Sequence, residues 1–189
     1  MRIGVLAVQG AFAEHINKLR QLDTESFEIR QQNDIRKNFD GLILPGGEST
    51  AMSKLLTELK LLEPLKSMIQ GGMPVFGTCA GMILLAKEIS GCDSPCFGTL
   101  DITAKRNAYG RQLGSFRCTD RFAEKIIEMP FIRAPYAERV GENVTILASH
   151  ENRIVAVRQD NQLATSFHPE LTDDITIYKY FFEMIENRN

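Results

Sequence analysis

The sequence lacks any long apolar run. Nowhere do its 189 residues approach the roughly 18 consecutive apolar residues that a membrane span requires. Charge of one sign is missing too. Lys and Arg number 22, Asp and Glu 24, and the formal net charge is −2, with no long basic or acidic block. A basic stripe is what meets phosphates on nucleic acid or on a membrane surface, so neither partner is expected. The apolar start "MRIGVLAV" is short and is ended by Gln9 and Gly10, with Glu14, His15 and Lys18 following, so it makes a poor secretory leader. The four cysteines, 79, 92, 96 and 118, are therefore expected as free thiols in a reducing cytoplasm. Cys92 and Cys96 form C-x₃-C, but no second pair with zinc spacing accompanies them, and neither a metal nor a cofactor is expected. Histidine is scarce: His15, His150 and His168 are the only candidates for an imidazole base. Repeats, low-complexity tracts and linkers are absent, so residues 1–189 read as one domain.

What is present is an alternation of strand-like and helix-like stretches. Runs with β character occur at 3–9, 27–30, 41–45, 73–77, 99–105, 144–149, 153–159 and 163–168. In the first half, helical spacing intervenes. Phe12, Ile16 and Leu19 mark one helix over 11–22; Met52, Leu55, Leu56 and Leu59 mark another over 50–60, behind a cap at Ser49. The stretch 80–89 is apolar nearly all round and reads as a buried helix. Ile175, Tyr178, Phe182 and Ile185 form the stripe of a closing helix. Such alternation makes βαβ units, hence an α/β fold of three layers, α/β/α, around a mostly parallel sheet. The closer spacing of strands in the second half adds an antiparallel extension.

One short stretch carries chemistry. "GTCAG" (77–81) is G-x-C-x-G, the thiol counterpart of the strand–turn–helix elbow that exposes a nucleophile. Glycines on either side let strand and helix approach while Cys79 sits on a strained turn. The N–H groups that open the following helix favour an anion at the sulfur, and the Ala80 N–H can donate to an oxyanion. A buried structural cysteine beside a tight turn is the alternative, and only a base separates the two.

His168 in "TSFHPEL" supplies one. Proline pushes the residue before it to an extended conformation, and in an extended stretch residues i and i+2 share a side. His168 and Glu170 can then face each other across Pro169, which is the base–orienter half of a triad. His15 and His150 lack a carboxylate held opposite by a rigid spacer and read as structural or solvent-exposed; Cys118 reads as a small apolar residue in a strand.

The elbow followed far downstream by His-Pro-Glu resembles the class I glutamine amidotransferases. "GVLAVQGAFAEH" (4–15), "GLILPGGEST" (41–50), "FGTCAGMILLAKEI" (76–89), "RNAYGRQ" (106–112), "FIRAP" (131–135) and "SFHPELT" (166–172), in that order, are similar to the glutaminase subunits of pyridoxal 5′-phosphate synthase. The resemblance covers nearly the whole chain and implies a flavodoxin-like amidotransferase fold. It implies Cys79 as nucleophile, His168 as general base and acid, and Glu170 as its orienter. It implies that Gly47, Glu48 and Ser49 hold L-glutamine, with Arg106 at its amino-acid end and Ile132 and Arg133 lining the pocket. A backbone N–H at Gly46 or Gly47 would complete the oxyanion hole with Ala80. Two glycines there permit unusual φ/ψ and close approach to a ligand, and Glu48 and Arg106 offer the opposite charges a zwitterion needs.

The implied reaction is hydrolysis of glutamine to glutamate and ammonia through a γ-glutamyl thioester. With the whole chain used by one glutaminase domain, ammonia would be consumed on another chain. The family implies a partner synthase of barrel fold, many copies of both subunits in one large hetero-oligomer, and pyridoxal 5′-phosphate as product. Three other readings stand beside this one: a γ-glutamyl hydrolase or peptidase using Cys79 and His168 on a longer substrate, the glutaminase of another pathway, and a non-catalytic flavodoxin-like module in which Cys79 is incidental.

Overall fold

The computed structural model describes residues 1–91, 96–106 and 114–188. In chain order its elements are β1 (Arg2–Leu6), α1 (Phe12–Gln21), β2 (Glu25–Ile29), β3 (Gly41–Leu44), α2 (Ser49–Glu58), α3 (Leu62–Gln70), β4 (Val75–Thr78), α4 (Ala80–Leu85), β5 (Ala86–Ile89), β6 (Leu100–Lys105), β7 (Ser115–Phe122), β8 (Lys125–Ile132), β9 (Tyr136–Val140), β10 (Thr145–His150), β11 (Arg153–Gln159), β12 (Gln162–Thr165) and α5 (Thr176–Glu186). A 3₁₀ turn at Pro169–Leu171 lies between β12 and α5.

The main sheet runs β2-β1-β3-β4-β12-β11-β9-β6-β5, with β10 paired to β11, and β7 and β8 form a separate hairpin. From β2 to β12 every pairing is parallel. β11 then pairs antiparallel with β12, β9 and β10, which is the antiparallel extension expected of the second half. Every residue of β3, β4 and β12 is buried. Strands covered on both faces are what βαβ crossovers produce. Two apolar cores flank the sheet: α2, α3 and α4 pack on one face through Met52, Leu56, Leu65, Ile69 and Met82, and α1 and α5 on the other through Leu19, Ile177 and Phe181. The fold is the expected three-layer α/β/α arrangement. Among the described residues no helix is long and apolar enough to cross a membrane.

Four local expectations need correction. The apolar stretch 80–89 is not one helix: α4 ends at Leu85, and residues 86–89 become β5, paired to β6. A continuous apolar run does not distinguish a buried helix from a strand. α2 begins at Ser49 and is capped by Glu48, whose carboxylate accepts from the Thr50 and Ala51 N–H groups. Leu59 lies beyond α2 and is exposed. The buried face of α5 is Ile177, Tyr178, Phe181 and Met184, one residue round from the expected stripe, with Phe182 and Ile185 at its margin.

Parallel strands put their C-terminal ends along one edge. Here β3 leads into Pro45-Gly46-Gly47, β4 into Cys79, and β12 into Ser166-Phe167-His168. Register sharpens this, because Gly77 pairs with Leu44 and with Ala164. Three segments far apart in sequence therefore meet at one edge of the sheet centre, where open α/β sheets gather their ligands.

Candidate active site

Cys79 follows β4 directly, with φ 50° and ψ −101°, and its carbonyl accepts from the Met82 N–H of α4. A non-glycine residue held there is strained, and such strain persists only where surrounding structure fixes it. What fixes it is visible. The Cys79 N–H donates to the Thr165 carbonyl of β12 at 2.7 Å. Gly81 lets α4 lie against β3, since a Cβ at this position would come 2.2 Å from the Leu44 carbonyl oxygen. The elbow geometry expected from "GTCAG" is thus present. The Cys79 sulfur is buried and lies 3.8 Å from the Ile132 carbonyl oxygen at the end of β8.

His168 is anchored by its N–H to the Pro130 carbonyl at 2.8 Å. Its Nδ1 bonds Glu170 Oε1 at 2.6 Å, so base and carboxylate are paired as expected. The local geometry differs from the expected one. Glu170 is not in an extended stretch but in the 3₁₀ turn opened by Pro169, and the turn brings its carboxylate back to the ring. Proline suits the first position of such a turn as well as it suits an extended one. With Nδ1 bonded, Nε2 is left without a hydrogen-bond partner and within electrostatic reach of the Cys79 thiol. Burial disfavours the His168 cation, but contact with Cys79 and with Glu170 outweighs it, and the imidazole is pushed up to about 10. Burial would likewise raise Glu170; the His15 and His168 rings facing it outweigh that and hold it below the ordinary carboxylate range.

Cys79 and His168 open into a cleft of about 570 Å³. Gly46, Gly47, Glu48, Ser49, Ala80, Arg106, Ile132 and Arg133, all chosen from the sequence, line it, while Glu170 stands behind His168. Gly10, Ala11 and Ile83 also line it and were not singled out. Of the "RNAYGRQ" motif only Arg106 falls among the described residues; the rest of it, like Cys92, lies outside them. Arg106, just past the end of β6, donates to Thr50 Oγ1 of α2 at 3.4 Å.

The double glycine acts differently from expectation. Neither Gly46 nor Gly47 takes a positive φ. Gly46 is needed for space: a Cβ there would stand 2.4 Å from His168 Cε1. The Gly46 carbonyl accepts from the Ala11 N–H at 2.9 Å, and Gln9 Oε1 accepts from the Glu48 N–H at 2.8 Å, so the loop before α1 holds the glycine loop at both ends. Glu48, held below its usual range mainly by the backbone N–H groups of Thr50 and Ala51, stays ionised at the cleft wall.

The other two histidines have no carboxylate on a local spacer, but the fold brings each one from a distant segment. His150 bonds Asp120 at 3.0 Å and packs against Phe116 and Phe131, with Cys118 Sγ 3.7 Å away. His15 is completely buried and lies 3.6 Å from Glu170 Oε2.

The model of the SNO glutamine amidotransferase family matches residues 5–187. The chain is 60% identical over 190 residues, covering all of both chains, to the pyridoxal 5′-phosphate synthase subunit PdxT of Methanocorpusculum labreanum. It is 53% identical over 189 residues to the subunit of that name from Haemophilus influenzae, covering 97% of this chain and 98% of the other. A crystal structure of a glutamine amidotransferase superposes with a TM-score of 0.92 at 42% identity, over 97% of this chain and 98% of that one. The chain belongs to the SNO glutamine amidotransferase family.

Proposed function

We propose that this chain hydrolyses L-glutamine to L-glutamate and ammonia, and that the ammonia passes to a synthase subunit that builds pyridoxal 5′-phosphate. Family membership supports the activity, and full-length identity to proteins named as pyridoxal 5′-phosphate synthase subunits supports the destination. The observation that carries the catalytic assignment is a strained, buried cysteine sharing a cleft with an imidazole that a buried carboxylate orients.

In this reading Cys79 attacks the side-chain amide carbon of glutamine as the thiolate, its proton already held on His168 Nε2. The tetrahedral oxyanion is met by backbone N–H groups at Ala80 and at Gly46 or Gly47; one such donor is typically worth ~10²–10³ in rate. His168, kept cationic by Glu170, then protonates the departing nitrogen, and ammonia leaves. A γ-glutamyl thioester remains on Cys79. Water, deprotonated by His168, attacks it, glutamate departs, and the thiolate is restored beside the protonated imidazole. Glu48, Ser49 and Gly47 hold the substrate along the α2 end of the cleft. Arg106 meets the α-carboxylate, and Ile132 and Arg133 close the opposite wall.

Residues 1–189 act in this proposal as one glutaminase domain, with the synthase as a separate barrel-fold chain in a large hetero-oligomer. Docking of that partner turns the Gly46–Gly47 peptide, which in the free chain is tied to Ala11, and so governs the oxyanion hole. The test supplies glutamine labelled at the amide nitrogen to the chain with and without the cognate synthase. Label is expected in pyridoxal 5′-phosphate with the wild type and not with Cys79→Ala. Equal labelling by Cys79→Ala would refute the nucleophile, and wild-type glutamine turnover without transfer of label would refute the partner.

A further inference from the structure

Glu170 presents a chemical problem that the triad leaves unsolved. One oxygen, Oε1, is bonded to His168. The other, Oε2, is buried and has no hydrogen-bond partner. An ionised carboxylate oxygen without a partner in the interior is costly, and the simplest escape is protonation or rotation, either of which would release His168.

What faces Oε2 is His15 Nε2 at 3.6 Å. His15 comes from α1, far from the catalytic turn in sequence, and its ring is wholly buried. It stands edge-on to Phe76, which stands edge-on to Tyr178. Its Nδ1 lies 2.7 Å from the Tyr178 hydroxyl, and its Nε2 lies 3.1 Å from Thr78 Oγ1. Burial keeps His15 neutral and Tyr178 protonated. The hydroxyl therefore donates to Nδ1, and the one imidazole proton is left on Nε2. The opposite tautomer would aim a nitrogen lone pair at a carboxylate oxygen, and electrostatics excludes it.

Three further groups complete the surroundings of the turn. Lys18, one helical turn beyond His15, is buried and donates from Nζ to the Thr172 carbonyl at 2.5 Å. Arg117 of β7 reaches the Leu171 carbonyl at 3.4 Å on the exposed side. His168 itself closes the ring of charged and titratable groups around Glu170. Of these, only His15 addresses Oε2.

We infer that His15 is a positioning residue of the reaction. Held in one tautomer by Tyr178, it donates its Nε2–H to Thr78 Oγ1 at 3.1 Å and presents its positive edge 3.6 Å from Glu170 Oε2, which keeps that carboxylate ionised and aimed at His168. Helix α1 thereby serves both sides of the site: the Ala11 N–H at its start holds the glycine loop, while His15 and Lys18 hold the catalytic turn. His15 does not line the cleft, so it acts on the reaction through its neighbours there, Glu170 foremost.

This inference rests on the glutaminase reading, and its test separates the two. The wild type, His15→Leu and His15→Gln are compared as complexes with the cognate synthase, by glutamine turnover over a range of pH and by thermal unfolding. Gln is the conservative change, because its amide can restore a positive N–H edge toward Oε2; Leu restores only bulk. His15→Leu is expected to lower kcat by about tenfold or more, as small displacements of a catalytic group do, with KM for glutamine nearly unchanged. Its acid limb of kcat/KM is expected at higher pH, since Glu170 loses the positive ring edge that favours the carboxylate. His15→Gln is expected to recover most of kcat. As a readout independent of turnover, the hydrogen-bonded Nδ1 proton of His168 is expected in the nitrogen-15 NMR spectrum of the wild type and of His15→Gln, and lost from His15→Leu. If wild type turns over glutamine and His15→Leu matches it in kcat and acid limb, the inference is overturned. A folded His15→Gln as slow as His15→Leu also overturns it. No turnover by the wild-type complex would instead overturn the glutaminase reading, leaving the NMR comparison to decide the role of His15.

Discussion

Gly46→Ala is the substitution whose consequence follows most directly from the coordinates. Its Cβ would lie 2.4 Å from His168 Cε1 and 3.0 Å from Nδ1. Carbon atoms rest at about 3.5–4.0 Å, so the ring must retreat by roughly 1 Å. It has little freedom to do so, because Nδ1 is bonded to Glu170 and the backbone N–H to Pro130. Gly46 does not use a positive φ, so the backbone itself tolerates alanine. Overpacking of this kind costs about 1–3 kcal/mol, which a domain of ordinary stability survives. The catalytic loss is larger: a 1 Å misplacement alone costs ~10²-fold. The assay is glutamate release by the chain with its synthase, with thermal unfolding measured on the same sample. A folded variant with kcat down ~10²-fold or more and KM little changed is expected if ring position is limiting. A folded Gly46→Ala protein turning over glutamine at the wild-type rate would refute the reasoning.

Two other outcomes are expected. Gly81→Ala drives a Cβ to 2.2 Å from the Leu44 carbonyl oxygen, and because that atom is backbone inside the sheet, α4 must lift; a stability loss of about 1–3 kcal/mol should appear in denaturant unfolding, and unchanged stability would show that the close packing is not needed. The pH dependence of stability has a definite sign. His168 is raised from 6.5 to about 10, so its contribution is complete below about 6.5 and fades as pH climbs toward about 10. Glu170 is lowered, so its contribution is complete above 4.5 and fades as pH falls through its depressed folded value. The gap in unfolding temperature between wild type and His168→Asn should therefore narrow from pH 7 to pH 10, and a gap that widens would contradict the assignment.

The sequence was most informative where chemistry depends on neighbours in the chain. The elbow at Cys79 and the pair His168–Glu170 are each contained within five residues, and both contacts exist. Even there the local geometry is ambiguous in sequence, because proline is compatible with both an extended stretch and the opening of a 3₁₀ turn. The cap of α2 was displaced by one residue because Glu48 and Ser49 are both able to accept from orphan N–H groups. The β7–β8 hairpin is hidden in the sequence: its turn is made by Ala123 at φ 49°, with no Asn-Gly or other glycine signal to mark it. His15 carries no local signal of its role, because its partners, Thr78, Glu170 and Tyr178, come from β4, the 3₁₀ turn and α5. Only the fold brings those segments together, and no local spacing records it. Arg106, Ile132 and Arg133 entered the sequence reading through resemblance alone, and they line the same cleft as Cys79.

The central claim is that Cys79 carries the glutamyl group during turnover. The direct measurement is mass spectrometry of the protein quenched in acid while it consumes glutamine with its synthase present. A glutamyl adduct on the peptide containing Cys79, absent from Cys79→Ala and accumulating when water attack is slowed in a Glu170 variant, is the expected result. Continued glutamine turnover with Cys79 unmodified, or an adduct on another residue, would contradict it.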